Sequence, residues 1–243
     1  MTAEEIRLGK TRKKMFKDQV MEILPDGGNL NLCLTCGLCA SGCPAAGIEG
    51  MDPRTFLRLA ALGVDDEILS SEWAWWCTMC QRCIHACPMT IDIPRLIFNV
   101  RSAWPRDDRP KGILASCDAS LKHDTCSAMG VSEEDWRFVV EDVLDEVRSA
   151  QPGFENLAAP IDKVGARLFL NQNSREPVTE PEEMVPLWKI LHTAGADWTY
   201  GSKGWGAENY CMFLADDPAW EKIIRTKVKA VEDLGCDVWL NTE

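Results

Sequence analysis

Eight of the twelve cysteines in this 243-residue chain fall in two runs of identical spacing. The first run reads CLTCGLCASGCP and the second reads CTMCQRCIHACP. Each has the pattern C-x2-C-x2-C-x3-C-P, which is typical of bacterial [4Fe–4S] sites. Three thiolates two residues apart let one tight loop bind three irons of a cubane cluster, and the fourth cysteine then points toward a second cluster. The repeat therefore predicts two [4Fe–4S] clusters.

We expect the two runs to exchange their fourth ligands. The predicted ligands of cluster 1 are Cys33, Cys36, Cys39 and Cys87, and those of cluster 2 are Cys77, Cys80, Cys83 and Cys43. Because this exchange joins both runs through metal, the clusters should be needed for folding. Cysteine fills every ligand position, so no iron is left open for a substrate. We therefore expect one-electron transfer and no complete catalytic site in this chain.

Zinc is the competing interpretation of the cysteine runs, because structural zinc sites also use paired C-x2-C. Zinc sites, however, take their four ligands from two such pairs. They do not use runs of four cysteines in which the fourth cysteine binds the other metal site. Within the second run, His85 is interpreted as a surface or packing residue. The preceding tryptophans Trp73, Trp75 and Trp76 are expected to pack in the core, with shielding of cluster 2 from water as the alternative.

The remaining four cysteines have no ligand spacing. Cys117 and Cys126 flank His123 and are predicted to be free thiols. Cys211 and Cys236 are predicted to be small buried hydrophobic residues. The chain carries neither a P-loop nor a dinucleotide-binding glycine fingerprint, and the GSKGWG stretch is interpreted as a loop.

The net charge of −12 and the pI near 4.8 disfavour nucleic acid as a partner, since phosphate binding needs a basic surface. Positive charge is nevertheless concentrated near the N-terminus, at Arg7, Lys10, Arg12, Lys13, Lys14 and Lys17. These residues are interpreted as a solvated helix face, with a dock for an acidic partner or a membrane surface as the alternative. The start of the sequence lacks the apolar segment of a signal peptide, and no run approaches the ~18 apolar residues of a membrane span. We expect a reducing, cytoplasmic setting.

Helical signals surround the cysteine runs. Residues 1–24 include an amphipathic helix, Asp52 is expected to cap a helix that starts at Pro53, and another helix begins near Pro94. Residues 1–103 therefore form the predicted helical di-cluster domain.

Residues 104–160 are predicted to be a connector with one long helix that starts after Ser132. Residues 104–131, before this helix, show no clear periodicity and are expected to form a long connector wrapped on the surface. Residues 161–243 alternate strand, helix, strand, helix and strand, which indicates an α/β arrangement. The predicted fold class is therefore mainly α with an α/β C-terminal part.

The cysteine-run segments NLCLTCGLCASGCPA and WWCTMCQRCIHACPM resemble the α-helical ferredoxin module of the heterodisulfide reductase C-type subunits, over about residues 28–103. The same module occurs in the iron–sulfur subunits of fumarate reductase and succinate dehydrogenase, with other ligand patterns. The resemblance implies a helical fold around two [4Fe–4S] clusters.

The last eighty residues resemble the first half of the cysteine-rich domain of heterodisulfide reductase D-type proteins, on KILHTAGADWTYGSKGWGAENYCMFLADD and KAVEDLGCDVWLNTE. Over the whole chain, the likeness is to D-type (HmcF/TmcB-like) subunits of the membrane-bound redox complexes of sulfate-reducing bacteria. The catalytic Cys-Cys pairs of that family are missing. Glu243 precedes the point where a family cysteine is expected, so we expect either a truncation or a selenocysteine codon read as a stop.

Three functions remain open from the sequence. The first is an electron-transfer subunit of a membrane-associated oxidoreductase complex, the second is part of a heterodisulfide or thiol-disulfide reductase whose catalytic half lies elsewhere, and the third is a protein whose clusters only stabilise the fold. The resemblance implies haem, flavin or iron–sulfur partner subunits, with integral-membrane subunits among them. It also implies a cytoplasmic location on the inner face of the membrane through that complex.

Overall fold

The computed structural model describes residues 14–242. The chain divides into two compact units, Met1–Pro105 and Arg106–Glu243, so the division falls close to the end of the predicted di-cluster domain. The basic residues Arg7, Lys10, Arg12 and Lys13, and much of the predicted helical segment 1–24, lie outside the described residues.

The described part of the N-terminal unit is helical. Its helices are α1 (Phe16–Ile23), α2 (Leu38–Ser41), α3 (Pro53–Leu62), α4 (Asp65–Leu69), α5 (Trp73–Trp76), α6 (Arg82–Ala86) and α7 (Ile93–Ala103).

Local sequence explains where the longer helices begin and end. The Asp52 carboxylate accepts a hydrogen bond of 2.7 Å from the Thr55 amide at the start of α3, as predicted. Gly63 ends α3 with a φ of 71°, a left-handed conformation that glycine adopts without strain. Asp92 caps α7 in the same way, through the Arg95 amide at 3.0 Å.

The core of this unit lies between α3, α5 and α7. Phe56, Leu96 and Val100 are fully buried there, and Trp73 is 1% exposed. Six cysteines of the two runs pack against this core, namely Cys33, Cys39, Cys43, Cys77, Cys83 and Cys87. The cysteine runs are thus part of the tertiary packing of the unit rather than appendages to it.

The C-terminal unit combines helices with short strands. Its elements are α8 (Lys111–Ser120), α9 (Glu133–Ala150), β1 (Leu168–Leu170), β2 (Gln172–Asn173), α10 (Glu176–Thr179), α11 (Val185–Thr193), β3 (Trp198–Thr199), β4 (Gly206–Ala207), α12 (Tyr210–Phe213), α13 (Asp217–Asp233) and β5 (Val238–Leu240).

A three-stranded parallel sheet has the order β3-β1-β5, and β2 pairs with β4 in a separate two-stranded sheet. The chain leaves β1, passes through α11 to β3, and returns through α13 to β5 on the other side of β1. The predicted alternation of strands and helices is therefore confirmed, whereas the likeness of this part to a cysteine-rich domain stays a prediction.

Helix α9 belongs to the core of the C-terminal unit. The Ser132 hydroxyl caps it by accepting from the Asp135 amide at 3.1 Å, as the sequence predicts. Its buried face, formed by Trp136, Val140, Val143, Leu144 and Val147, packs in one cluster with Trp188 and Tyr200. Residues 106–160 therefore belong to the same compact unit as the sheet.

The prediction that the segment before α9 is a long connector wrapped on the surface is wrong. Residues Lys111–Ser120 form α8, in which Cys117 and Ser120 are buried. The helix escaped prediction because its apolar residues do not form a clear stripe. Its burial comes instead from contacts with α12, which is distant in sequence.

The prediction of a free thiol at Cys117 is wrong as well, and Cys211, although buried as predicted, is not a simple hydrophobic residue. The two residues form a disulfide that joins α8 to α12 across 94 residues of sequence. Cys126 is a free thiol, as predicted, and it is buried. Cys236 is only half-buried, because it lies in the turn between α13 and β5 rather than inside the strand.

Candidate metal centre

The two cysteine runs fold in the same way. Thr35 and Met79, at equivalent positions, have φ values of 57° and 56°, and Gly37 and Gln81, also equivalent, have φ values of 85° and 61°. L-residues rarely adopt this left-handed conformation outside tight turns. Each run therefore curls through two left-handed residues before its short helix, α2 or α6, begins.

One cavity is formed by the first run together with the last cysteine of the second run. Cys33, Cys36, Cys39 and Cys87 all line it. Leu57 of α3 and Ile93 of α7 close its inner side, and Cys36 is exposed at its outer side. We refer to this space as the first cysteine cavity.

A second cavity is formed by the second run together with the last cysteine of the first run. Cys77, Cys80, Cys83 and Cys43 line it. Trp73 of α5 and Ile97 of α7 form part of its wall, and Cys80 is exposed. This second cysteine cavity therefore has the same set of ligands as the first, with three cysteines from one run and one from the other.

The thiols in each cavity lie close enough to influence one another. Burial, followed by the charge of Cys33, raises the pKa of Cys39 to about 11, and Cys87 adds to the rise. Burial, followed by the charge of Cys77, raises the pKa of Cys83 to about 12. Thiolates grouped in this way repel each other unless a cation compensates their charge, and a metal ion holds coordinating thiols deprotonated.

Backbone amides point at sulfur at equivalent places in the two runs. The Thr35 amide donates to Cys33 Sγ at 3.4 Å. The Met79 amide makes the corresponding hydrogen bond to Cys77 and lowers its pKa, although burial, the largest effect there, raises it. Hydrogen bonds to the sulfurs are one of the means by which a protein sets the potential of an iron–sulfur cluster.

The two cavities are neighbours. The charges of Cys39 and Cys43, which line the first and the second cavity respectively, both raise the pKa of Cys83. The Arg82 guanidinium further links the runs by donating to the Gly42 carbonyl at 3.0 Å.

A buried guanidinium lies beside the second cavity and was not identified from the sequence. Arg101 of α7 is 1% exposed, donates from Nε to the Ala74 carbonyl at 2.9 Å and from Nη2 to the Cys77 carbonyl. Its carbon Cζ lies 5.2 Å from the centroid of the Trp75 ring. The signal in the sequence was its spacing, because Arg101 follows the buried Ile93 and Ile97 at intervals of four on the apolar face of α7.

The aromatic and histidine predictions have different outcomes. Trp73 packs in the core and donates from Nε1 to the Ala45 carbonyl at 2.9 Å, and it also lines the second cavity. Trp76 is 52% exposed, so the prediction of core packing is wrong for this residue. His85 is exposed, in agreement with the surface interpretation.

The donor set fits a pair of iron–sulfur clusters. In the part of the chain from 14 to 242, no three His, Cys, Asp or Glu side chains lie close enough together to hold a single metal ion. The eight cysteines lie instead in two sets of four, each around its own cavity. Four thiolates per site are the ligand set that [4Fe–4S] clusters use.

Comparison with known families agrees with this arrangement. Residues 29–91, which include all eight cysteines of the runs, match the 4Fe-4S dicluster domain family Fer4_8. Within residues 14–242, none of the helices combines the length and the apolar character needed to cross a membrane.

Several curated relatives are C-type iron–sulfur subunits of heterodisulfide reductases. The chain is 34% identical over 74 residues to one of these subunits of the CoB–CoM heterodisulfide reductase of Methanocaldococcus jannaschii, covering 30% of this chain and 39% of the relative. It is 24% identical over 173 residues to the corresponding iron–sulfur subunit of Methanopyrus kandleri, covering 71% of this chain and 79% of the relative. A protein of Archaeoglobus profundus that is named as similar to these C-type subunits is 32% identical over 98 residues, 39% of this chain and 52% of the relative.

The matched region thus spans between 39% and 52% of the length of the Methanocaldococcus and Archaeoglobus relatives. The predicted resemblance to C-type subunits is confirmed, and the resemblance to D-type subunits stays a prediction.

Proposed function

We propose that this chain, an iron–sulfur protein similar to the C-type subunits of heterodisulfide reductases, relays single electrons between partner subunits through two [4Fe–4S] clusters. Clusters of this type supply one-electron oxidation and reduction when they are bound. The main support is that each of the two neighbouring cavities is lined by four cysteines, three from one run and one from the other. Under this proposal, Cys33, Cys36, Cys39 and Cys87 bind cluster 1, and Cys77, Cys80, Cys83 and Cys43 bind cluster 2.

The surroundings of the cysteines suit such a relay. Cys36 and Cys80 are exposed, so each cavity has one edge that a partner can approach, while the helices of the core cover the inner sides. Leu34 is 67% and Leu38 is 49% exposed on either side of Cys36. Apolar side chains around an exposed ligand favour contact with a partner protein at the first cavity.

The partners proposed for this relay are redox subunits that carry haem, flavin or iron–sulfur groups. The curated relatives are named as subunits, which supports assembly into a larger complex. We further propose that the complex includes integral-membrane subunits and holds this chain at the inner face of the membrane.

A second candidate is a role within a heterodisulfide or thiol-disulfide reductase whose catalytic cysteine-rich half is supplied elsewhere. The resemblance of the last eighty residues to D-type proteins favours it. The two candidates differ in what the chain does without partners, since a relay alone has no reaction to catalyse. We expect the purified chain to show no turnover of a thiol-disulfide substrate, and measurable turnover would favour the second candidate.

The relay is tested by an anaerobic redox titration of the purified chain followed by EPR. We expect two [4Fe–4S] signals that appear on reduction with dithionite and disappear on reoxidation, because all-cysteine clusters accept one electron reversibly. Redox-inactive clusters would leave only a structural role for the metal. A full complement of iron without any reducible signal would therefore contradict the proposed function.

A further inference from the structure

The charges around the two cysteine cavities differ. At the second cavity, Arg101 is buried and holds the Cys77 carbonyl. At the first cavity, the exposed Arg54 lines the wall. The Nη2 of Arg54 lies 3.9 Å from the Asp52 carboxylate. The arginine at the first cavity is therefore paired with a carboxylate, whereas a buried arginine lies beside the second cavity, behind the Cys77 carbonyl.

A buried cation has a strong effect on a neighbouring redox group. Adding one electron makes the group more negative, and a positive charge in a region of low dielectric stabilises the more negative state. Net charge and solvent exposure are among the factors that set the potential of an iron–sulfur cluster. The Trp75 ring and the apolar face of α7 keep water away from the Arg101 guanidinium, so its charge is little screened.

We propose that Arg101 is a positioning residue that raises the reduction potential of the cluster at the second cavity above that of the cluster at the first. The first electron to enter the chain then resides at the Cys77–Cys80–Cys83 side, and the downhill direction of transfer runs from the first cavity to the second. One electron is gained there without any bond forming or breaking. A reduced partner protein supplies it in the complex, and dithionite supplies it in the test. This assignment rests on the proposed function, since it presupposes two bound clusters.

Arg101 also fixes the backbone that carries the ligands. It donates both to the Ala74 carbonyl in α5 and to the carbonyl of Cys77, the first cysteine of the second run. A lysine at this position keeps the charge but not the two-pronged donor geometry, whereas a glutamine keeps a donor but removes the charge. The two substitutions therefore separate the electrostatic effect from the structural one.

The test is a redox titration of R101Q and R101K in the full chain, with R82Q as the matched control. Arg82 lines the second cavity and, like Arg101, donates to a backbone carbonyl, but it is exposed, so solvent and salt screen its charge. At a fixed potential, we expect R101Q to lower the ratio of reduced to oxidised second cluster by about tenfold. This change is equivalent to a reduction potential that is lower by about 59 mV. R101K should restore most of this change, and R82Q should change the ratio by less than about threefold.

The two clusters are assigned to their signals with C36S and C80S, which alter equivalent exposed ligands of the first and second cavities. We expect C80S to change the signal that is reduced first in the unaltered protein. The order in which the two clusters are reduced is measured in the unaltered protein, so this part of the test stands even if the R101Q protein does not bind its clusters. The inference about Arg101 is overturned if C36S changes that signal instead, or if R101Q loads fully and shifts neither potential.

These outcomes are distinct from failure of the proposed function. Two reversibly reducible clusters with the opposite order, or with no response to R101Q, would leave the relay intact and remove the role of Arg101. Absence of any reducible cluster in the unaltered chain would remove both.

Discussion

Replacing Cys43 by serine is expected to remove the cluster at the second cysteine cavity while the cluster at the first remains. Cys43 belongs to the first run in sequence, but it lines the cavity formed by Cys77, Cys80 and Cys83. A serine in place of a cysteine ligand weakens iron binding at that site alone. The iron content should fall from about eight to about four atoms per chain, with loss of the EPR signal that C80S also changes.

The reciprocal variant is Cys87→Ser, which should remove the cluster at the first cavity. Cys126→Ser is the matched control, because it replaces a buried cysteine outside the two runs and should leave the iron content unchanged. Circular dichroism of each variant shows whether the helices persist. Loss of the first cluster in the Cys43→Ser protein, with its helices retained, would contradict the exchange of ligands between the runs.

Loss of the Cys117–Cys211 disulfide is expected to lower the stability of the C-terminal unit by about 4 kcal/mol, because the bond closes a loop with a sequence separation of 94 residues. Both cysteines are fully buried, and α8 and α12 are held together at this point. Amide hydrogen exchange measured by mass spectrometry is the appropriate readout. Exchange limited by opening of the whole unit should become about a thousandfold faster in the C117A/C211A variant under non-reducing conditions.

Cys126→Ala controls for the loss of a buried thiol in the same unit, and it should change exchange much less than the double variant does. Alkylation of the unreduced, denatured protein gives an independent check. Peptides that contain Cys117 and Cys211 should resist modification until a reductant is added, whereas those that contain Cys126 and Cys236 should be modified at once. Immediate modification of Cys117 and Cys211 would show that the bond is absent.

The elements with strong local signals were predictable from the sequence. Asp52 with Pro53 and Ser132 with the following acidic residues mark the starts of α3 and α9, because a capping side chain acts on amides within three residues. The strands β1, β3 and β5 were also recognisable, since a buried parallel strand is a short apolar run between helices.

Features that depend on contacts between distant residues were not predictable. Helix α8 lacks a clear apolar stripe, and its buried Cys117 meets Cys211 only in the folded unit. No spacing rule connects two cysteines so far apart in sequence. The reducing setting inferred from the other cysteines also argued against a bond between them.

The candidate site was partly predictable. The repeated pattern indicated which cysteines belong together, because loop geometry ties ligand roles to spacing. The surroundings of the cysteines were not predictable from the sequence. Arg101 lies on the apolar face of α7 and was not identified as a buried residue, although burial of an arginine requires specific partners. The left-handed backbone at Met79 and Gln81 also lacks a sequence signal, since neither position is a glycine.

The identity and amount of bound metal test the central claim most directly. We expect about eight irons and about eight acid-labile sulfides per chain, and no stoichiometric zinc, in protein purified without exposure to oxygen. Stoichiometric zinc, or about four irons per chain, would contradict the assignment of two [4Fe–4S] clusters to the two cysteine cavities.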